Sequence, residues 1–430
     1  MDNRSETNVN YSKYLEFDKL SIYNILLVLT VLAGTLKIAD RFIVLGIPIN
    51  YLLISLNIFF IFPLRKIDSY FLKIFSSILI ILVASYFFKD TSISIPSNEL
   101  TNKILEYLTI PLIAFCASGI FYKLNAKSSF QKIFSVRHAW ILSTTLICTL
   151  TLGIRLFTGD FSRFGFSIFG PIVFSRLILI SYYLSLLPSK FYKKYRIYLL
   201  IIYIPCLLIA DSKITIASII GAEIFVYIVD LFLKSKVTFD NLKLPKINLK
   251  KNQLKYFLIT LLLLIISLVL SKRYQMFFLV ISPYLNSDNV SLEIFDNIYI
   301  YTENFANELG IDSTISRLLA YSKSWQLILA KPLFGNGIAT WPYLSNLVYM
   351  VYPHNFLLEV YYAVGVFSLP FIYYIFKPIY KLTFYPLNTS DEFIFRPILI
   401  KIFLIIFLTS MVSGSIQDLR MLILFTIIAV

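Results

Sequence analysis

His354 and Glu359 are the residues in this chain best suited to move a proton. They stand in YPHNFLLEVYYAVG, residues 352–365, and only one other histidine, His138, occurs in the 430 residues. A neutral imidazole beside a carboxylate takes a proton from a hydroxyl when the two are within reach. Pro353 fixes the backbone ahead of His354, and Asn355 is of a type that caps the helix that follows. Asn355 to Glu359 is one helical turn. The structural alternative for His354 is a helix-entry histidine at the membrane edge. His138 lies in a basic stretch and reads as a surface residue.

Anion chemistry would fall to Arg155, Arg163, Lys213, Arg273 and Arg317. Arginine offers a planar fork that grips phosphate oxygens in two places, and lysine a compact point charge. For each cation the structural alternative is interfacial snorkelling or a surface ion pair. Lys213, in ADSKITIAS, has Asp211 beside it as an equal candidate for its partner. No acidic pair stands at metal-ligand spacing on the outer side, so no divalent metal and no cofactor is expected. Cys116, Cys148 and Cys206 lie far apart within apolar runs and suggest neither a disulfide framework nor a zinc site.

The elements that must position these residues are membrane helices. Hydrophobic types make up 58% of the chain, charged types 15%, and the mean hydropathy is +0.77. A soluble domain carries about 25% charged residues. The composition excludes a soluble globular enzyme, a disordered chain and a nucleic-acid-binding domain, and leaves an all-α polytopic membrane protein.

Runs of apolar residues predict about twelve spans. They lie near 20–36, 42–64, 70–88, 104–122, 138–157, 169–187, 196–210, 214–233, 255–271, 355–376, 397–413 and 415–430. With both termini inside, about 25 of the 39 basic residues fall on the cytoplasmic side. The net charge of +15 is thereby read as topology, with membrane lipids and no nucleic acid as partners. Residues 1–272 then hold nine helices, 273–354 a large outer loop, and 355–430 three more helices.

The outer loop is too long for a simple connection and too rich in Tyr, Phe, Trp and Leu for disorder. Within it, 313–331 reads as an amphipathic helix carrying Arg317 and Trp325, stopped by Pro332. It lies either at the membrane surface, with Trp325 at headgroup level, or packed beneath the loop. KPLFGNG, 331–337, places Gly335 and Gly337 in a tight turn leading to the His354 segment. An outward loop meets no ATP or nucleotide sugar, so a substrate there must be energised otherwise, for example as a lipid diphosphate.

This ordered set resembles the O-antigen polymerase and O-antigen ligase superfamily of membrane glycosyltransferases. The resemblance rests on about 60 residues: Arg317, Trp325, Pro332, Gly335 and Gly337, then His354, Asn355, Glu359 and Gly365. SRFGFSIFGPIVFSR, with Arg163, is a weaker match. So is ADSKITIAS, where Lys213 stands in place of the family's usual arginine. The resemblance implies a GT-C-like fold, with the large periplasmic loop between helices 9 and 10, in a bacterial inner membrane. It implies an inverting, metal-independent transfer of glycan from undecaprenyl diphosphate at the periplasmic face. Arg317 and Lys213, with Arg163, would bind the diphosphate; His354 would act on the acceptor hydroxyl, with Glu359 as its support. A polymerase is the first expectation, with a chain-length regulator as a further partner. An O-antigen ligase acting on lipid A–core is the second. A lipid-linked oligosaccharide flippase is the distant rival, on account of Arg176 and Glu223 within the spans.

Overall fold

The computed structural model describes residues 21–35, 43–44, 47–61, 69–89, 92–158, 171–210, 212–238, 312–345, 347, 352–384, 390–413 and 416–430. The described chain is helical, apart from a hairpin in which Ile43–Val44 pairs antiparallel with Ile47–Pro48. Helices α1 (Ile22–Thr35), α2 (Ile49–Ile61), α3 (Ser69–Phe88), α4 (Ser97–Lys123), α5 (Ser129–Thr158), α6 (Pro171–Leu186), α7 (Lys190–Ala210) and α8 (Lys213–Thr238) come first. After them come α9 (Asp312–Ala330), α10 (Trp341–Leu344), α11 (Phe356–Val364), α12 (Leu369–Phe384), α13 (Ser390–Ser413) and α14 (Leu419–Ala429). The predicted run at 255–271, and most of the predicted outer loop, lie outside the described residues.

Among the described residues, five segments are long and apolar enough to cross a membrane: α3, α4, α5, Phe356–Phe384 and Phe395–Val412. Their outward faces carry large apolar side chains, such as Phe87 at 71% exposure and Phe157 at 93%. A helix in hydrocarbon closes its backbone hydrogen bonds internally, which is why long apolar runs adopt this form. Several predicted spans are shorter. At 11 residues, α14 rises about 16 Å, roughly half of a hydrocarbon core. Every residue from Leu419 to Ile428 is buried. It is a central post against which α4, α12, α13, α1 and α5 pack, and its mostly apolar sequence, with Arg420 buried in it, reflects protein contact.

The span at residues 356–384 is broken. Gly365 has φ +57° and opens a short 3-10 turn, Gly365–Ser368, between α11 and α12. The break leaves the last carbonyls of α11 without helical partners. The glycine turn supplies them: Asn336 N–H donates to Tyr362 O (2.9 Å) and Gly337 N–H to Ala363 O (2.8 Å). In return Val366 N–H donates to Leu333 O at 3.2 Å. A Cβ on Gly335 would stand 2.4 Å from Val364 N, and one on Gly365 2.5 Å from Leu333 O. Both glycines are therefore required by close backbone approach as well as by positive φ. The interlock holds α9 against α11, and Ser85 of α3 joins it by accepting from Ile338 N–H at 2.7 Å.

Candidate active site

At the end of the bundle where α3 stops and α4 and α11 begin, α9 brings Arg317 and Tyr321 to the His354 segment. The two are one turn apart and share a face of α9. Tyr321 Oη lies 3.0 Å from the carbonyl oxygens of Met411 and Val412 and 3.5 Å from that of His354. Tyr352 lays its ring over the His354 imidazole, with centroids 4.3 Å apart and 33° between planes. Arg317 is half-buried on the same face of α9 as Tyr321. Burial lowers its guanidinium from the ordinary value, against the pull of Tyr321 and Tyr352, and an arginine stays charged regardless. Burial pushes Tyr321 up to about 12, with Arg317 opposing. Burial, then Asp418 and Glu359, raises Tyr352. Both phenols are therefore neutral donors at neutral pH.

His354 itself has φ +57°. A non-glycine residue held there costs on the order of 1–3 kcal/mol, and such strain gathers at functional sites. Asn355 caps α11 as its type predicts, its Oδ1 accepting from Leu357 N–H (3.0 Å) and Leu358 N–H (3.2 Å). The cap fixes where α11 starts, and so where His354 must turn.

Beside this cluster a cavity of about 470 Å³ separates α4 from residues 337–343 and 352–363. Lys103 stands in its wall, with Nζ 2.6 Å from Glu359 Oε1 and 2.9 Å from Glu106 Oε2. Glu359 Oε2 accepts from Ile416 N–H at 3.1 Å. Both oxygens of Glu359 are thus engaged by Lys103 and a backbone amide, where spacing alone sets the residue in support of His354. The Ile416–Asp418 turn carries the charges onward: Arg176 Nη1 is 3.0 Å from Asp418 Oδ1, and Arg176 Nε donates to Thr409 Oγ1 at 2.7 Å. A line of ionic groups therefore runs from the cavity wall into the bundle, joining α4, α11, α6 and α13.

The other expected residues fall as follows. Trp325, 56% exposed, faces outward from α9. Pro332, Gly335 and Gly337 form the interlocked turn, whose Asn336 and Gly337 amides are spent on α11 rather than offered to a phosphate. Arg155 is buried in the last turn of α5. Lys213 begins α8 and its side chain, like Arg163 and Arg273, lies outside the described residues. His138 is half-buried, its Nδ1 hydrogen-bonded to Tyr192 Oη, which replaces the expected surface setting.

Sequence reasoning missed Lys103, Glu106, Tyr321, Tyr352 and Asp418. The signal for the first two was present. Glu99, Lys103 and Glu106 recur at four and three residues in SNELTNKILEYL and share one helix face. Starting the apolar run at 104 placed Lys103 in a loop. No protein-family model matches the chain, and no curated protein matches it.

Proposed function

We propose that the protein is a membrane glycosyltransferase that polymerises surface glycan, transferring a chain from undecaprenyl diphosphate to the hydroxyl of an acceptor repeat unit at the periplasmic face. The observation that carries this reading is the approach of α9, which bears Arg317 and Tyr321, to the His354 segment at one end of an apolar helical bundle, with Tyr321 Oη reaching His354 O and Tyr352 lying over the imidazole. His354 takes the proton from the acceptor hydroxyl as its oxygen attacks the anomeric carbon. The bond from that carbon to the diphosphate oxygen breaks, and configuration inverts. Arg317 holds the departing diphosphate and offsets the charge it gains.

The geometry favours this over a flippase. Arg176 is spent on Asp418, and Glu223 accepts from Tyr183 Oη (2.8 Å) and pairs with Lys401 (2.6 Å). The charges that motivated a transport path are fastened between helices. A ligase would share donor and pocket and differ in acceptor.

The test is extension of lipid-linked repeat units by purified protein. His354→Ala is expected to abolish extension while the protein still inserts in the membrane; normal product from that variant would remove His354 from the mechanism. Activity is expected to survive EDTA, and loss restored by magnesium would contradict a metal-independent transfer. In a deletion strain, a single-repeat ladder marks a polymerase, and lipid A–core bare of glycan marks a ligase.

A further inference from the structure

The cavity beside the His354 cluster has the wrong charge for a diphosphate. Among the described residues, Glu99, Glu106 and Glu359 line it against one cation, Lys103. Three carboxylates facing a single ammonium repel a multiply charged anion. The wall suits hydroxyl groups instead. Tyr107, fully buried, and Trp341, 3% exposed, both line the cavity. They present ring surface to it, while Tyr107 Oη and Trp341 Nε1 are themselves sealed from solvent. At the rim, Tyr343 donates to Glu99 Oε2 at 2.8 Å, and Asn102 adds an exposed amide. The volume of about 470 Å³ lies within the range of small-molecule sites, roughly 300–1,000 Å³. Ala339, at φ +62°, lines it too, and the wall carries the same backbone strain as His354 next to it.

We propose that this cavity is the acceptor subsite, taking a neutral or amine-bearing sugar and rejecting sugars that carry a carboxylate. The proposal rests on the glycosyl-transfer reading and deepens it by naming the acceptor class. At the rim the Glu99 carboxylate accepts from hydroxyls, the Asn102 amide both donates and accepts, and the aromatic rings cover the sugar's apolar face. Lys103 holds Glu106 and Glu359 in place.

The experiment uses full-length protein in lipid nanodiscs and follows tryptophan emission during titration with methyl glucoside, glucosamine and glucuronate. The first two are expected to give a saturable change, with glucuronate weaker by about tenfold or more. Glu99→Gln and Asn102→Ala, both at exposed positions that leave the fold intact, should weaken the neutral sugar, and Glu99→Lys should shrink the discrimination. The emission change should disappear in Trp341→Phe. Glucuronate binding as tightly as glucosamine, a response indifferent to Glu99 and Asn102, or no response to any sugar would overturn the subsite. Farnesyl diphosphate binding, compared between wild type and Arg317→Ala, is the separate check on the wider reading. Sugar selectivity without diphosphate binding at Arg317 sinks the transferase and leaves the subsite. Diphosphate binding without sugar selectivity does the reverse.

Discussion

On the proposed reading Arg317 and His354 carry the chemistry, and their substitutions should separate. If Arg317 grips the diphosphate with its planar fork, as proposed, Arg317→Lys should keep charge but lose bidentate grip. A fall of about tenfold in donor binding, with His354 chemistry intact, is expected from titration with farnesyl diphosphate. The Lys103–Glu359 pair is expected to act on the fold. Lys103→Met strands a carboxylate that is only 4% exposed, which should cost about 3 kcal/mol. Glu359→Gln in the same chain removes the stranded charge and should recover most of that loss. Thermal unfolding in detergent of the two single variants and the double variant measures the coupling. Additive losses would mean the two charges do not feel one another. Asn355 was legible as a cap behind the fixed backbone of Pro353 because Pro and Asn act on adjacent backbone. Lys103 and Glu359 were not legible as a pair, because nothing local ties residues so far apart in sequence.

Elements show the same division. The α9 helix follows from apolar residues at three- and four-residue spacing and from Pro332, both local signals. The reason for Gly335 is not local: its missing Cβ makes room for the backbone of Val364. Gly335→Ala and Gly365→Ala should each destabilise by about 3 kcal/mol, from overpacking and positive φ together. They meet at one interface, so the double variant should lose less than the sum. Gly153 in α5 has nothing within 4 Å of a Cβ, and Gly153→Ala should instead stabilise by about 0.5–1 kcal/mol. Melting temperatures of the four variants test this, and a loss at Gly153 equal to that at Gly335 would contradict it. The α14 helix marks the limit of composition. An apolar run reads alike whether lipid or protein surrounds it, and only packing shows that α14 is a buried post.

Across the whole molecule, the meeting of α3, α4, α9 and α11 at one end fixes the site's sidedness relative to the opposite end, where α4 finishes and α5 begins. Cys116, Cys148 and Cys206 are all buried, so the native thiols should stay silent to a membrane-impermeant maleimide. Glu99→Cys and Lys331→Cys, at exposed positions, should label from the same side as each other, and Lys127→Cys from the other. Labelling of Glu99→Cys and Lys127→Cys from one side would break the alternation on which the arrangement depends. The broken span beside Gly365 has a further consequence, for the order of synthesis. Chain growth runs from the N-terminus, so the ribosome delivers Asn336 and Gly337 before Tyr362 and Ala363. The amides that complete the interrupted helix are made ahead of the carbonyls that need them, and a translocon can release that helix to its waiting partner.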